Sequence, residues 1–432
     1  MTRTIAPISA LLLSTAFLLM GNGLQGVLLP VRGGLEAFSS FDLGVLGGSY
    51  FLGFAIGCLH GSRLVRRVGH IRVFAAMVGI ASAVALAHPL AVVPAVWWAL
   101  RTLTGYCFAI LYMVIESWLN ERSTAETRGL VFSLYTIVNL TVITLGQLMI
   151  ALGDPAGLPL FSIVSILISV AAVPVSLSAA AAPAPVHSVR IRLLRIYGIS
   201  PVGFVACLTV GLANGAFWSL GPVYAQSLGA DASGVAVFMS STVIMGALGQ
   251  WPLGRASDKV DRRRIIILAC LGAAAGGAGL SAFHGIGGLP VYASAWVFGF
   301  FVLPLYAIAV AHTNDFTDPQ DYVEVSSGLL LLFAMGAVIG PMLASAVMAL
   351  FGSGALFAYT SVCYGLLGLF SLWRMTRRGP AAAEERADFA DSIRFAQTVG
   401  AVDPLSEEVF ATEEPVIAGG EDDLVPAERD PR

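Results

Sequence analysis

Arg101 stands in "AVWWALRTLTGYCFAILYMV" (95–114), which carries no other charge. In a helix it would lie about ten residues from the nearer end, roughly 10–15 Å deep. A cation at that depth costs at least a few kcal/mol unless it faces protein or water. It therefore reads as a midplane cavity cation that holds an anionic group or tunes a proton site. The alternative is an arginine that snorkels outward or bonds a backbone carbonyl. Glu116, fifteen residues on, is about 22 Å away along the helix and cannot be its partner. Asn22 or Gln25 can be. These two amides share a helix face, as do Asn214 and Trp218. Asn139 and Gln147 extend the set. For each amide the second reading is an interhelical hydrogen bond; for Trp218 it is packing against lipid.

A second group of residues carries charge in turns. Arg66, Arg67 and Arg72 fall in one basic turn, and "GRASDKVDRRR" brings Gly254, Asp258, Lys259, Arg262 and Arg263 into another. Glu116, near the end of its apolar run, is placed to reach the first as a gate contact, with proton binding as its second reading. Asp315, Asp318, Asp321 and Glu324 make a later turn wholly acidic, the natural complement of the basic ones. His312, close by, would titrate near neutral pH, although a lone histidine is more often structural. "STAE" (123–126) has the capping-box pattern and "DPQD" (318–321) offers an Asp cap with Pro behind it.

The elements that must position these residues follow from composition. Hydrophobic residues are 57% of 432 and charged residues 12%, too apolar for a soluble interior to hide. The medium is lipid. Runs of about 20 residues without charge recur at 8–31, 42–61, 71–89, 91–119, 129–152, 159–182, 199–226, 232–254, 265–284, 287–313, 325–350 and 355–375. Each is long enough to cross a hydrocarbon core as a helix, and none alternates as a barrel strand would. The first lacks a cleavage site and is too long for a signal segment, so it reads as a retained helix. Arginines and lysines gather in alternate turns, and the intervening turns hold only Arg32. That bias places those basic turns and both termini in the cytoplasm. The five cysteines are scattered in apolar runs, as small buried hydrophobes.

A shift of 192 residues superposes two halves of the chain. "NGLQGVLLPV" from Asn22 meets "NGAFWSLGPV" from Asn214, and Gly57, Arg67 and Arg72 meet Gly249, Lys259 and Arg264. Six spans separate the copies, so the halves enter the membrane in the same direction, a parallel repeat. This divides the chain into a six-helix bundle at 1–182, a linker at 183–198 and a second bundle at 199–375. The last 57 residues hold 14 acids and 6 bases and read as an acidic, disordered tail (376–432) with at most a short helix at 383–397. The expected fold is an all-α membrane protein of twelve transmembrane helices in two pseudo-symmetric bundles.

The basic turns resemble the signature of the major facilitator superfamily, roughly G-x-x-x-D-(R/K)-x-G-(R/K)-(R/K). The second copy matches at Gly254, Asp258, Lys259, Arg262 and Arg263, with Asp261 where glycine is usual. The first keeps Arg67, Gly69 and Arg72 but has Ser62 and Arg66 in place of glycine and aspartate. "RTLTG" (101–105) resembles the R-x-x-x-G element of helix four, and "MVIESWLNE" followed by "TRG" is similar to a bacterial branch typified by the YcaD permease. The resemblance implies a secondary transporter in a bacterial cytoplasmic membrane. It would work as a monomer on a small-molecule solute, with protons a candidate coupling ion, and without a cofactor, metal or nucleic-acid partner. Walker, zincin and nucleophile motifs are absent from the sequence, which disfavours an ATPase or another enzyme. The alternative is a transporter-like sensor or scaffold that signals through the acidic tail.

Overall fold

The computed structural model describes residues 8–124, 127–177, 192–318, 321–377 and 379. Among them are twelve helices long and apolar enough to cross a membrane, and no strand. They are α1 (Ser9–Leu35), α2 (Ser40–Val68), α3 (His70–Leu90, closing in a 3₁₀ turn), α4 (Pro94–Glu121), α5 (Arg128–Leu148), α6 (Pro159–Ser176, interrupted at Ala171), α7 (Pro201–Ser227), α8 (Ala232–Lys259), α9 (Arg262–Ala282), α10 (Leu289–Asn314), α11 (Tyr322–Phe351) and α12 (Ala355–Met375). Each expected span corresponds to one of these. A short helix, Leu193–Ile199, begins in the expected linker and ends one residue beyond it. The acidic tail, its short helix and most of the linker lie outside the described residues.

Helix ends follow local chemistry. Ser39 and Asp42 form a reciprocal capping box at α2, and Asp231 caps α8 through the Gly234 N–H. Proline occupies the first turn of α4, α6, α7 and α10, where its missing N–H costs nothing. The expected caps in "STAE" and "DPQD" involve residues 125–126 and 319–320 and lie outside the described residues.

The halves pack by equivalent contacts. A Cβ on Gly57 would run into the Tyr106 carbonyl of α4; one on its repeat mate Gly249 would run into the Phe300 carbonyl of α10. Gly23 presses on Ile143 of α5 and its mate Gly215 on Ala337 of α11. Glycine lets these backbones meet, and dispersion between close helices replaces the hydrophobic drive that lipid does not supply. Leu248, Leu271 and Leu366 are each about 60% exposed, which suits a surface bathed in lipid. Four cysteines are buried and Cys363 is half-buried, all as free thiols.

The repeat diverges at its basic turns. Gly69 has φ +93°, a conformation costly for other residues. Its mate Asp261 has φ −57° and instead caps α9, its Oδ1 accepting the Arg263 N–H at 3.0 Å. An aspartate stands in the glycine position of the second copy because that turn takes a different path.

Candidate functional site

The site is built where α2 crosses α4. A Cβ on Gly53 would collide with the Thr102 carbonyl, and one on Gly105 with the Tyr50 carbonyl. The helices therefore touch backbone to backbone. Arg101, one turn before Gly105, is brought over the ring of Tyr50, with Cζ 4.5 Å from its centroid. This cation–π contact compensates part of the cost of a buried guanidinium. Among the described residues no carboxylate pairs with Arg101, and its Nη1 is buried without a hydrogen-bond partner. Asn22 of α1 donates a long hydrogen bond to the Tyr50 hydroxyl, 3.5 Å.

Arg101, Tyr50 and Asn22 border a cavity of about 340 Å³ on the seam between the halves. Leu43, Leu46, Phe51 and Phe54 of α2, Tyr112 of α4 and Ile143 and Gln147 of α5 line it from the first half. Trp218 and Ser219 of α7, Met239 of α8 and Leu330, Phe333 and Ala334 of α11 line it from the second. No Asp, Glu, Lys or His stands among the lining residues. Beyond the cavity, away from the basic turns, the halves press together. Gly44 and Gly48 of α2 leave no room for a Cβ against Ser345 and Val338 of α11, and Gln226 donates to the Val31 carbonyl at 3.1 Å.

The expected cavity residues divide. Asn22, Arg101, Gln147 and Trp218 line the cavity. Gln147 is 3.5 Å from the Ser240 hydroxyl across the seam. Asn214 does not line it: the Tyr364 hydroxyl of α12 donates to its Oδ1 at 2.7 Å, and the side chain is buried within the second half. Gln25 is fully buried off the lining, with neither amide atom hydrogen-bonded. Asn139 lies on the Ile143–Gln147 face of α5 but outside the lining, and its Oδ1 is buried and unpartnered. Arg101 stacks on Tyr50, and Asn22 reaches that tyrosine's hydroxyl. Of the lining aromatics the sequence singled out Trp218 alone; Tyr50, Phe51, Phe54, Tyr112 and Phe333 were not among the expected site residues. The only signal was "YFLGF", which sets Tyr50, Phe51 and Phe54 on adjoining strips of one helix.

The charged turns also divide. Arg66, Arg67, Arg72 and Lys259 are exposed, and Gly254 is buried inside α8. Arg262 is buried and binds three groups: Asp315 Oδ2 at 2.9 Å through Nε, and Asp258 Oδ1 at 3.1 Å and Ser257 Oγ at 3.0 Å through Nη1. Arg263 folds back on Asp261, 2.7 Å. Burial works to raise the Asp261 carboxyl, but the hydrogen bonds and charge of Arg263 outweigh it and hold it below the ordinary value. Glu324 was expected to answer the basic turns. It is taken instead by Arg192 and Arg195 of the linker, each at 3.0 Å, and Arg195 also reaches Asp321 at 2.5 Å. Hydrogen bonds to these acids push both guanidiniums above their usual value. Glu116 is buried and accepts from the Tyr135 hydroxyl at 3.3 Å. In the first half the place of Arg262 is held by His70, whose Nε2 is 3.4 Å from the Ser117 hydroxyl. His312 is buried against the Phe316 ring, 5.3 Å away.

Known proteins give this arrangement its context. The family model described as the Major Facilitator Superfamily matches residues 11–292 and 203–413. An uncharacterized MFS-type transporter of Enterobacter sp. (strain 638) is 25% identical over 362 residues, spanning 81% of this chain and 91% of the relative. The uncharacterized MFS-type transporter YcaD of Shigella flexneri serotype 5b (strain 8401) is 24% identical over 361 residues with the same coverage. Among solved structures, the nucleoside transporter NupG superposes with a TM-score of 0.71 at 10% identity, over 85% of this chain and 98% of that one. That likeness bears on the fold. With two overlapping matches to one family and twelve apolar helices in a repeated bundle, the chain belongs to the Major Facilitator Superfamily, in its YcaD-like branch.

Proposed function

We propose that this protein is a secondary transporter that moves a small organic solute by alternating access. The observation that carries this reading is the cavity itself: it sits on the seam, and both halves supply its walls. A site on such a seam is exposed to one side or the other as the halves rock. The tight glycine contacts beyond the cavity are surfaces that would have to part when access changes sides. The basic turns face the cytoplasm of a bacterial inner membrane in this reading, with both termini on that side. The solved structure named as a nucleoside transporter brings nucleosides into the panel of solutes to be tested.

The test is flux. The full chain is reconstituted in liposomes and challenged with panels of organic acids, nucleosides, sugars and amines under imposed solute and proton gradients. Uptake of at least one solute above protein-free vesicles is expected. No movement of any of them under any gradient would overturn the transport reading.

A further inference from the structure

We infer that the solute is an organic anion with a planar apolar body, its charge held by Arg101 and its body by the aromatic wall. This rests on the cavity being the transport site.

Charge comes first. Arg101 is the one charged residue lining the cavity, and among the described residues it has no acidic partner. Its contact is the Tyr50 ring, which leaves the guanidinium's positive charge uncancelled. A guanidinium in a medium of low dielectric gains most from an ionised oxygen acid, which it can meet with two parallel N–H donors. The Tyr50 hydroxyl accepts from Asn22, so its own O–H is left to donate to the same anion. A cationic solute would meet Arg101 with no carboxylate to offset the repulsion. A zwitterion would leave its amine unpaired.

The rest of the wall selects the body. Phe51, Phe54, Tyr112, Trp218 and Phe333 give the wall aromatic surface, and aliphatic side chains complete it. A sugar would strand most of its hydroxyls against this surface. A small inorganic ion would leave most of the roughly 340 Å³ unfilled and would forfeit its hydration for one arginine.

The experiment compares solutes matched in shape. Indole-3-acetate, indole-3-acetamide and tryptamine share one ring system and differ in charge; acetate keeps the charge without the body. Affinities for the purified full-length protein are measured by calorimetry, for the native chain, Arg101→Gln and Arg101→Lys. Indole-3-acetate is expected to bind at least tenfold tighter than each of the other three. Arg101→Gln is expected to abolish the preference for the acid over the amide, and Arg101→Lys to keep part of it. Equal or tighter binding of the amide, the amine or acetate by the native chain would overturn the inference. So would binding of none of the four at millimolar concentration, or an undiminished preference in Arg101→Gln. The native-chain comparison decides the matter even if a variant fails to fold. Anion-selective binding without flux would refute transport and leave this inference standing; flux of amide or amine but not acid would do the reverse.

Discussion

Asp315→Asn should destabilise the second half far more than Asp258→Asn, although both acids bind the same arginine. The reason lies in burial and in the helix ends. The side chains of Arg262 and Asp315 are 1% and 3% exposed, whereas Asp258 is 34% exposed. Each charge also sits at the unfavourable end of its helix. Arg262 opens α9, where the dipole is positive, and Asp258 and Asp315 lie at the ends of α8 and α10, where it is negative. The charges are tolerated because they neutralise one another. Removing one partner of a buried pair costs roughly 3–5 kcal/mol. Arg262 keeps Asp258 and Ser257, so the lower end, about 3 kcal/mol, applies to Asp315→Asn. Asp258 is re-solvated on its open side, and its loss should cost about 1 kcal/mol or less. The double change Arg262→Met with Asp315→Leu removes both desolvated charges and should return to within about 1 kcal/mol of the native chain. Unfolding in mixed micelles of rising dodecyl sulfate content, followed by helical circular dichroism, measures all three. Equal costs for the two single acids would refute the reasoning, as would a double variant no more stable than Asp315→Asn.

Gly105→Val should abolish monodisperse protein in size-exclusion chromatography, because its side chain must occupy the space of the Tyr50 carbonyl; Gly79→Ala, with nothing near its Cβ, should elute as the native chain does. Gly69→Ala should cost about 1–2 kcal/mol in the same micelle assay, since φ is +93° there. Asp261→Asn should be less stable than the native chain near neutral pH. Its carboxyl lies below the ordinary value when folded, so the advantage of the charge is complete above the unfolded value near 4 and disappears as pH falls through the lower folded one. Glu324→Gln removes the common acceptor of Arg192 and Arg195 and should speed amide exchange across Leu193–Ile199, read by mass spectrometry.

The twelve helices were legible because lipid demands long charge-free runs, and charge marks where they end. The repeat was legible because glycines at helix crossings resist substitution: Gly57 and Gly249 meet equivalent carbonyls. The cavity was less so. Asn22 and Asn214 are repeat mates, yet one borders the cavity beside Tyr50 of α2 and the other is tied to Tyr364 of α12. The tyrosines are not mates, so the shift that pairs the amides says nothing of their surroundings. Aromatic residues in a greasy chain read equally as packing or as wall. Glu324 pointed to the wrong basic partner for a similar reason: charge complementarity identifies what could pair, and chain path decides what does.

These departures from symmetry have one direction. The polar side of the cavity, with Asn22, Tyr50, Arg101, Tyr112 and Gln147, comes from the first half; the second supplies Trp218, Met239, Leu330 and Phe333, with Ser219 as its one hydroxyl. The buried ionic clamp belongs to the second half, where Arg262 joins α8, α9 and α10, while the first half has His70 against Ser117 at that place. A clamp of three charges, two of them desolvated, fixes the ends of its helices as one body, and Glu324 of α11 fastens the linker helix to the second half through two arginines. The first half's cavity groups are held by two long hydrogen bonds, Asn22 to Tyr50 and Ser240 to Gln147, and by a ring contact, which leaves them more freedom to adjust around a bound anion. Recognition and rigidity thus fall on opposite sides of the seam, an arrangement two identical copies could not supply.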